Sequence, residues 1–420
     1  MRIKPIIKKI FPEFAIKFYY IFVKWKAVFT WKFRCDRIIS KIKDKKTLNV
    51  LFLPANLAMW KFDVLFKKMM KHPRFRPQIL LSPSMGLDPT ELAAERGKMV
   101  KYFSEKGFHV VDESDAKKIK PDIVFITQGY GGFAHGLTDF PKALGCYAPY
   151  YSFPSSYDSH FVDLLQLNMA WRIFTQNKAS YAGTVAGMSN KGKNVRISGY
   201  VNADNFFRKD VPFSFPWKLK NPALKKVIYA PHWTVRPDLM LPYSTFLSMG
   251  EIMLEIAEKY ADKVQWCFKP HPWLLRELEK LPEWGEKRAR EYFKRWENLE
   301  NGTCHNGEYI SLFMTSDAMI HDSSSFRYEY FYTKKPVMYL MKEGQNVCDN
   351  DVALQAIEAH YHGRCRRDVE KFIEEVVLGG NDPKAVEREH FCKEYLLPPN
   401  NKSVAQNIID EIERGLGWQK

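Results

Sequence analysis

Two short stretches of the chain combine residue types that handle anions. In Lys269-Pro270-His271-Pro272 the prolines fix a rigid turn after an apolar run. Such a turn would hold His271 and Lys269 at the end of a strand. The imidazole could then hydrogen-bond a nucleotide and the ammonium could meet its phosphate. In His321-Asp322-Ser323-Ser324-Ser325 a short apolar run passes into a helical segment that contains Glu329. Asp322 reads as a helix N-cap. The three serines would present hydroxyls and unsatisfied N–H groups to one point, where the helix dipole favours an anion. Each stretch also has a plainer reading: a proline-terminated strand with surface side chains, and one serine capping a helix. The glycines at 129, 131 and 132 follow another apolar run. They could admit a phosphate to the backbone or simply form a loop.

These residues need a scaffold that brings strand ends together. Apolar runs at 48–54, 78–81, 109–111, 122–127, 145–151, 172–175 and 195–198 alternate with helical segments. After a proline-rich stretch at 211–222 the alternation restarts with runs at 226–230, 264–269, 318–321 and 337–340. Short apolar strands separated by helices predict parallel sheets covered on both faces. Two such halves predict a ligand cleft at the carboxyl ends of both sheets. The expected division is an arm at 1–46, a first Rossmann-like domain at 47–210, a second at 211–395, and a final helix at 396–420.

The net charge of +16 is concentrated at the start of the chain, where residues 1–46 hold 14 Lys/Arg against 3 Asp/Glu, a net +11. Apolar residues there recur at helical spacing through Phe14, Phe18, Phe22, Trp25 and Phe29. Pro5 and Pro12 place the helix start near Glu13. A basic, aromatic, amphipathic helix is a signature of an anionic membrane surface, and it also suits a helix packed on the body with solvated lysines. Lysines interrupt the run, so it reads neither as a signal peptide nor as a spanning helix. Outside the arm the chain is nearly neutral and carries no nucleic-acid recognition motif. Seven cysteines without a Cys-x-x-Cys pair argue against a disulfide framework or a zinc site and for a reducing compartment.

Three segments then occur in a telling order: Tyr229-Ala230-Pro231-His232-Trp233, Lys269–Pro272, and Asp317 through Val337. In this the chain resembles the CDP-glycerol glycerophosphotransferases of teichoic-acid and capsule synthesis. Asp322 to Glu329 is similar to that family's Asp-Tyr-Ser-Ser-x-x-x-Glu stretch, and Gly199 to Asp204 to its Gly-Asn-Pro-x-x-Asp turn. Bacterial sialyltransferases carry comparable His-Pro and Ser-Ser motifs. The resemblance spans roughly 195–345. It implies a GT-B fold, α/β with two Rossmann-like domains facing a cleft, with no metal or other cofactor and the nucleotide on the second domain. It implies that His271 contacts the nucleotide or its phosphates and that Ser324 and Ser325 bind phosphate, with Glu329 facing the ribose or bracing the site; His232, Lys269, Asp322 and Ser323 are further candidates for the donor site. Where the family has Thr and Arg around the Trp, this chain has His232 and Thr234, and Arg236 is the candidate replacement cation. The family's Trp-His-Gly-Thr motif, which holds the expected base, corresponds to Ala134-His135-Gly136-Leu137. His135 is therefore the expected general base and Asp139 the reserve.

The resulting expectation is a transferase at the cytoplasmic face of the membrane, peripherally bound. It would move a polyol phosphate from a CDP-activated donor to a hydroxyl of a lipid-linked or polymeric glycan, releasing CMP. The alternatives are a glycosyltransferase using a CMP- or UDP-sugar, a nucleotide-sugar 2-epimerase of related fold, and a non-catalytic membrane-bound scaffold.

Overall fold

The computed structural model describes residues 13–115, 118–151, 162–208, 212–236, 238–239, 243–305, 307–342 and 350–418, with side chains from Phe18 onward. Pro5, Pro12, Val211 and Cys348 lie outside the described residues. The chain forms two compact units, Met1–Asp204 with Leu397–Lys420, and Asn205–Leu396.

The first unit is built on strands β1 (Leu48–Phe52), β2 (Phe75–Ile79), β3 (Ile123–Ile126), β4 (Leu144–Tyr147), β5 (Arg172–Thr175) and β6 (Val195–Ile197). All pair in parallel, in the order β2-β1-β3-β4-β5-β6. β3, β4 and β5 are buried along their whole length, as strands covered on both faces must be. The strand expected at 109–111 is only a single bridge between Ile79 and Val110, because His109 is exposed and too few apolar residues flank it.

Two helices complete this unit from distant parts of the chain. The first is described over Glu13–Ile42. One side of it docks: Cys35, Ile38 and Ile42 are buried. Lys24 pairs with Asp163 at 2.6 Å and the Trp31 indole N–H donates to the Ala170 carbonyl at 2.7 Å. The last helix, Val404–Gly415, returns to the first unit. The Asp204 carboxylate accepts the Val404 and Ala405 N–H groups at 2.8 and 2.9 Å. Gly199 has φ +99°, and a Cβ there would lie 2.8 Å from Val404 Cγ2. The Gly199–Asp204 motif therefore seats this helix. Glu411, on the same helix, bridges Arg172 at 2.8 Å and Arg196 at 2.9 Å.

The second unit holds β7 (Lys225–Ala230), β8 (Val264–Phe268), β9 (Gly302–Cys304), β10 (Ala318–His321), β11 (Val337–Leu340) and β12 (Tyr361–Gly363). These are also all parallel, in the order β12-β11-β10-β7-β8-β9. Its core is aromatic, with Phe246, Trp266, Phe268, Tyr292 and Trp296 packed together. The edge strands β9 and β12 escape sequence reading: each has three residues, includes glycine, and is only partly buried. The proline-rich stretch belongs to this unit, pinned by Trp217 Nε1 to Thr315 Oγ1 at 2.8 Å and Lys218 Nζ to the Leu299 carbonyl at 2.6 Å.

Candidate functional site

In the second unit β10, β7 and β8 are neighbours, so the turns that follow them share one carboxyl edge. Backbone bonds lock the turn after β8 to β7. The Lys269 N–H donates to the Tyr229 carbonyl at 2.8 Å and the His271 N–H to the Pro231 carbonyl at 3.0 Å. Asp322 locks the turn after β10. Its fully buried carboxylate accepts the His232 N–H at 2.5 Å, the Thr245 N–H at 2.6 Å and the Thr245 hydroxyl at 3.0 Å. Burial pushes its carboxyl up to about 6 against the pull of these donors.

This corrects the expected cap. The α-helix after the serines is only Phe326–Glu329, followed by a 3₁₀ turn over Tyr330–Thr333, with no side-chain cap. Asp322 instead binds Thr245, the residue that starts the longer helix Phe246–Lys259. A one-turn helix contributes little dipole, so the serine turn offers its hydroxyls and N–H groups as individual donors. Ser323 is buried, while Ser324 and Ser325 are partly exposed.

The hydrogen bonds assign the proton position on one of the two histidines of this edge. His271 Nδ1 accepts the Trp273 N–H at 3.2 Å, so the neutral ring carries its proton on Nε2. Burial, with the charge of Lys269 second, lowers its pKa to about 4. Thr234 Oγ1 accepts the Tyr243 N–H at 3.0 Å and lies 2.9 Å from His232 Nδ1. The hydroxyl can donate to His232 Nδ1 or accept from it, so this contact fits either neutral tautomer. Burial, then His271, holds His232 well below its ordinary pKa. The two rings are 5.3 Å apart. Together they form a pair of uncharged rings.

Around them, Lys269 is buried, with its ammonium 6.0 Å from the Tyr309 ring centroid. The Tyr309 hydroxyl donates to the buried Glu329 carboxylate, so Glu329 positions the ring over which Lys269 lies. Arg236 lies 3.2 Å from Glu277 and 3.7 Å from Asp238. Trp273 was not singled out from the sequence. It is 56% exposed beside His271, with its ring 5.0 Å from Trp233, and its only sequence signal is its place directly after Pro272.

The two remaining candidates are in the first unit. Ser82 Oγ accepts the His135 N–H at 2.7 Å, and His135 Nε2 is 3.1 Å from Glu113 Oε1. Arg96 reaches the other Glu113 oxygen at 3.1 Å. Burial would raise the Glu113 carboxyl, but the Arg96 and His135 hydrogen bonds outweigh it and hold it below the usual range. The carboxylate fixes Nε2 as the protonated nitrogen and leaves Nδ1 to accept. Sequence reading missed Glu113 and Arg96, because neither is near His135 along the chain. Asp139 accepts the Gly136 N–H at 2.8 Å, which closes its own turn. In the glycine loop, a Cβ on Gly129 would lie 2.8 Å from Leu167 Cδ1, and Gly132 has φ +101°. Packing and turn geometry account for both. Among the described residues no group of three or more His, Cys, Asp or Glu side chains could hold a metal ion.

Two Rossmann-like units of parallel strands, with a histidine, lysine and serine edge on the second, define a GT-B protein. The chain belongs to the CDP-glycerol:poly(glycerophosphate) glycerophosphotransferase family, whose model matches residues 168–414. It is 25% identical over 194 residues to the minor teichoic acid biosynthesis protein GgaB of Bacillus subtilis (strain 168). That match covers 41% of this chain and 18% of the relative, so the chain spans about a fifth of the relative's length. Among solved structures, a variant of the wall teichoic acid polymerase TagF superposes with TM-score 0.55 at 13% identity, covering 95% of this chain and 98% of that one. MnaA from S. aureus, in a co-structure with UDP, superposes with TM-score 0.56 at 14% identity, covering 89% and 98%.

Proposed function

We propose that the protein transfers a polyol phosphate from a CDP-activated donor to a hydroxyl of a lipid-linked or polymeric cell-surface glycan. The acceptor oxygen attacks the phosphorus distal to cytidine. The bond from that phosphorus to the bridging oxygen breaks, and CMP leaves with the electron pair. The observation that carries this reading is the locked edge, where His232 and His271 are held as neutral rings, His271 with its proton on Nε2, beside Lys269. An uncharged N–H donor and one buried cation suit a diphosphate whose charge shifts to the leaving group. Ser323, Ser324 and Ser325 supply further donors, Asp322 and Glu329 hold the frame, and Arg236 stands near with its charge shared by Glu277. His135, oriented by Glu113, takes the acceptor proton on Nδ1, with Asp139 in reserve. In this reading no metal or other cofactor takes part.

The acceptor's membrane is reached through the first helix. No described helix is long and apolar enough to cross a membrane. Opposite the docked side of Glu13–Ile42, Phe18, Phe22, Trp25, Phe29 and Phe33 are each more than half exposed, at 72%, 53%, 62%, 77% and 72%. Such a stripe, in an arm of net +11, suits an anionic leaflet and a peripheral place on its cytoplasmic face. Vesicle flotation tests this: Trp25→Glu with Phe29→Glu abolishes binding to anionic vesicles. Unchanged flotation overturns it. Deleting the whole arm is a poorer test, since Cys35, Ile38 and Ile42 belong to the core.

Calorimetry and CMP release with CDP-glycerol, CDP-ribitol, CMP-sugars and UDP-sugars test the donor. The reading expects binding and turnover with a CDP-polyol. Turnover with a nucleotide sugar alone replaces it with a glycosyltransferase, and binding of no nucleotide ends it.

A further inference from the structure

Behind the serine turn lies a pair of histidines that the proposed reaction does not use. His321 ends β10 and His360 stands just before β12, and both are fully buried. His321 Nδ1 accepts the Ser323 N–H at 3.1 Å. Its Nε2 lies 3.3 Å from His360 Nε2, and His360 Nδ1 lies 2.7 Å from the Ala356 carbonyl. Both ends of this chain are backbone groups of fixed polarity. The Ala356 carbonyl can only accept, so His360 carries its proton on Nδ1 and accepts at Nε2. The Ser323 N–H can only donate, so His321 accepts at Nδ1 and donates from Nε2. One arrangement of protons satisfies all three bonds.

We propose that His321 and His360 are positioning residues that hold the serine turn in its ligand-binding shape through this chain of hydrogen bonds. The role rests on the donor reading above. The pair ties Ser323 to the C-terminal end of helix Asp351–Glu358, whose Ala356 carbonyl also accepts the Ala359 N–H at 3.1 Å. A second proton on either ring would set two donors face to face. Burial, the guanidinium of Arg327, and for His360 that of Arg388 all oppose such a proton. The rings of Tyr339 and Phe331, at 5.4 Å from His321 and 4.7 Å from His360, fill the remaining space. With the Ser323 N–H engaged by His321, Ser323 keeps only its hydroxyl as a donor, and Ser324 and Ser325 are the partly exposed serines of the turn.

The test compares His321→Leu, which removes both bonds, with His321→Asn, whose Oδ1 can accept the Ser323 N–H in an Asx turn. His360→Phe keeps a ring but removes the acceptor, and it stands in if His321→Leu does not fold. In the unliganded protein, His321→Leu or His360→Phe speeds amide hydrogen exchange over residues 322–326, and His321→Asn restores slow exchange. With CDP-glycerol, the leucine variant raises KM about tenfold while kcat changes little, the size of one lost buried hydrogen bond. The asparagine variant recovers most of that. Wild-type exchange and KM in His321→Leu, or equal impairment in His321→Asn, overturns the proposal. A lower melting temperature with unchanged KM does so too, since it marks ordinary packing. An unchanged KM in Ser324→Ala would instead remove the donor reading of the turn, and the exchange data would still decide the hydrogen-bond chain.

Discussion

The carboxyl edges of the two sheets are made from the same parallel strands but filled differently. On the second sheet, His232, Lys269, His321 and Asp322 are all buried, and hydrogen bonds to backbone groups lock the turns that carry them. On the first sheet, His135 and Asp139 sit on partly exposed loops, and the histidine is held by a carboxylate, Glu113, that is itself exposed. A rigid, dehydrated edge suits recognition of one fixed group, because donors held in place need no rearrangement when charge arrives. A partly solvated histidine with a carboxylate on its far nitrogen suits proton transfer, because the carboxylate orients the ring and leaves its other nitrogen to accept. The contrast predicts that damage to the second edge appears in binding and stability, and damage to the first in turnover.

The sharpest way to break this contrast is His135→Ala. It should lower kcat by about 100-fold or more and leave CDP-glycerol affinity by calorimetry unchanged. Unchanged turnover would remove His135 from the chemistry. Asp322→Asn should cost about 2–4 kcal/mol of stability in urea unfolding, because an amide cannot accept from every donor that now surrounds the buried carboxylate. Donor binding should fall with it. His271→Ala should weaken CDP-glycerol binding about tenfold with a smaller effect on kcat. A kcat-only effect would reverse the roles of the two edges.

Acid should separate the edges as well. His271 and His321 have folded pKa values of about 4 and about 3, and His232 and His360 are also lowered. The unfolded chain therefore binds more protons below about pH 6.5, and stability is lost as pH falls from there. Asp322, raised to about 6, works in the opposite sense, but it is one group against four. The urea midpoint of the second unit should drop between pH 7 and pH 5, and a flat midpoint would contradict the assigned neutral rings. The smallest effect should come from Glu113→Gln, which keeps the His135 contact but removes the charge, and should lower kcat a few-fold without changing KM.

Much of the scaffold was legible in the sequence. The restart of strand and helix alternation announced two parallel sheets, the spacing from Glu13 announced the first helix, and the turn after β8 lies where its prolines place it. These features follow from rules that act over a few residues: side-chain periodicity, the fixed φ of proline, and the apolar runs of strands covered on both faces. Tertiary structure decided the partners. Asp322 looked like the cap of the next turn and instead holds His232 and Thr245, far back along the chain. Asp204 read only as the end of a family-like turn, and the structure shows it seating a helix some 200 residues later. Glu113 behind His135, Tyr309 on Glu329, and His360 behind His321 carried no local signal. A buried polar group must find a partner or lose free energy. Which partner it finds depends on which strands become neighbours and how their turns pack, and no stretch of a few residues contains that information.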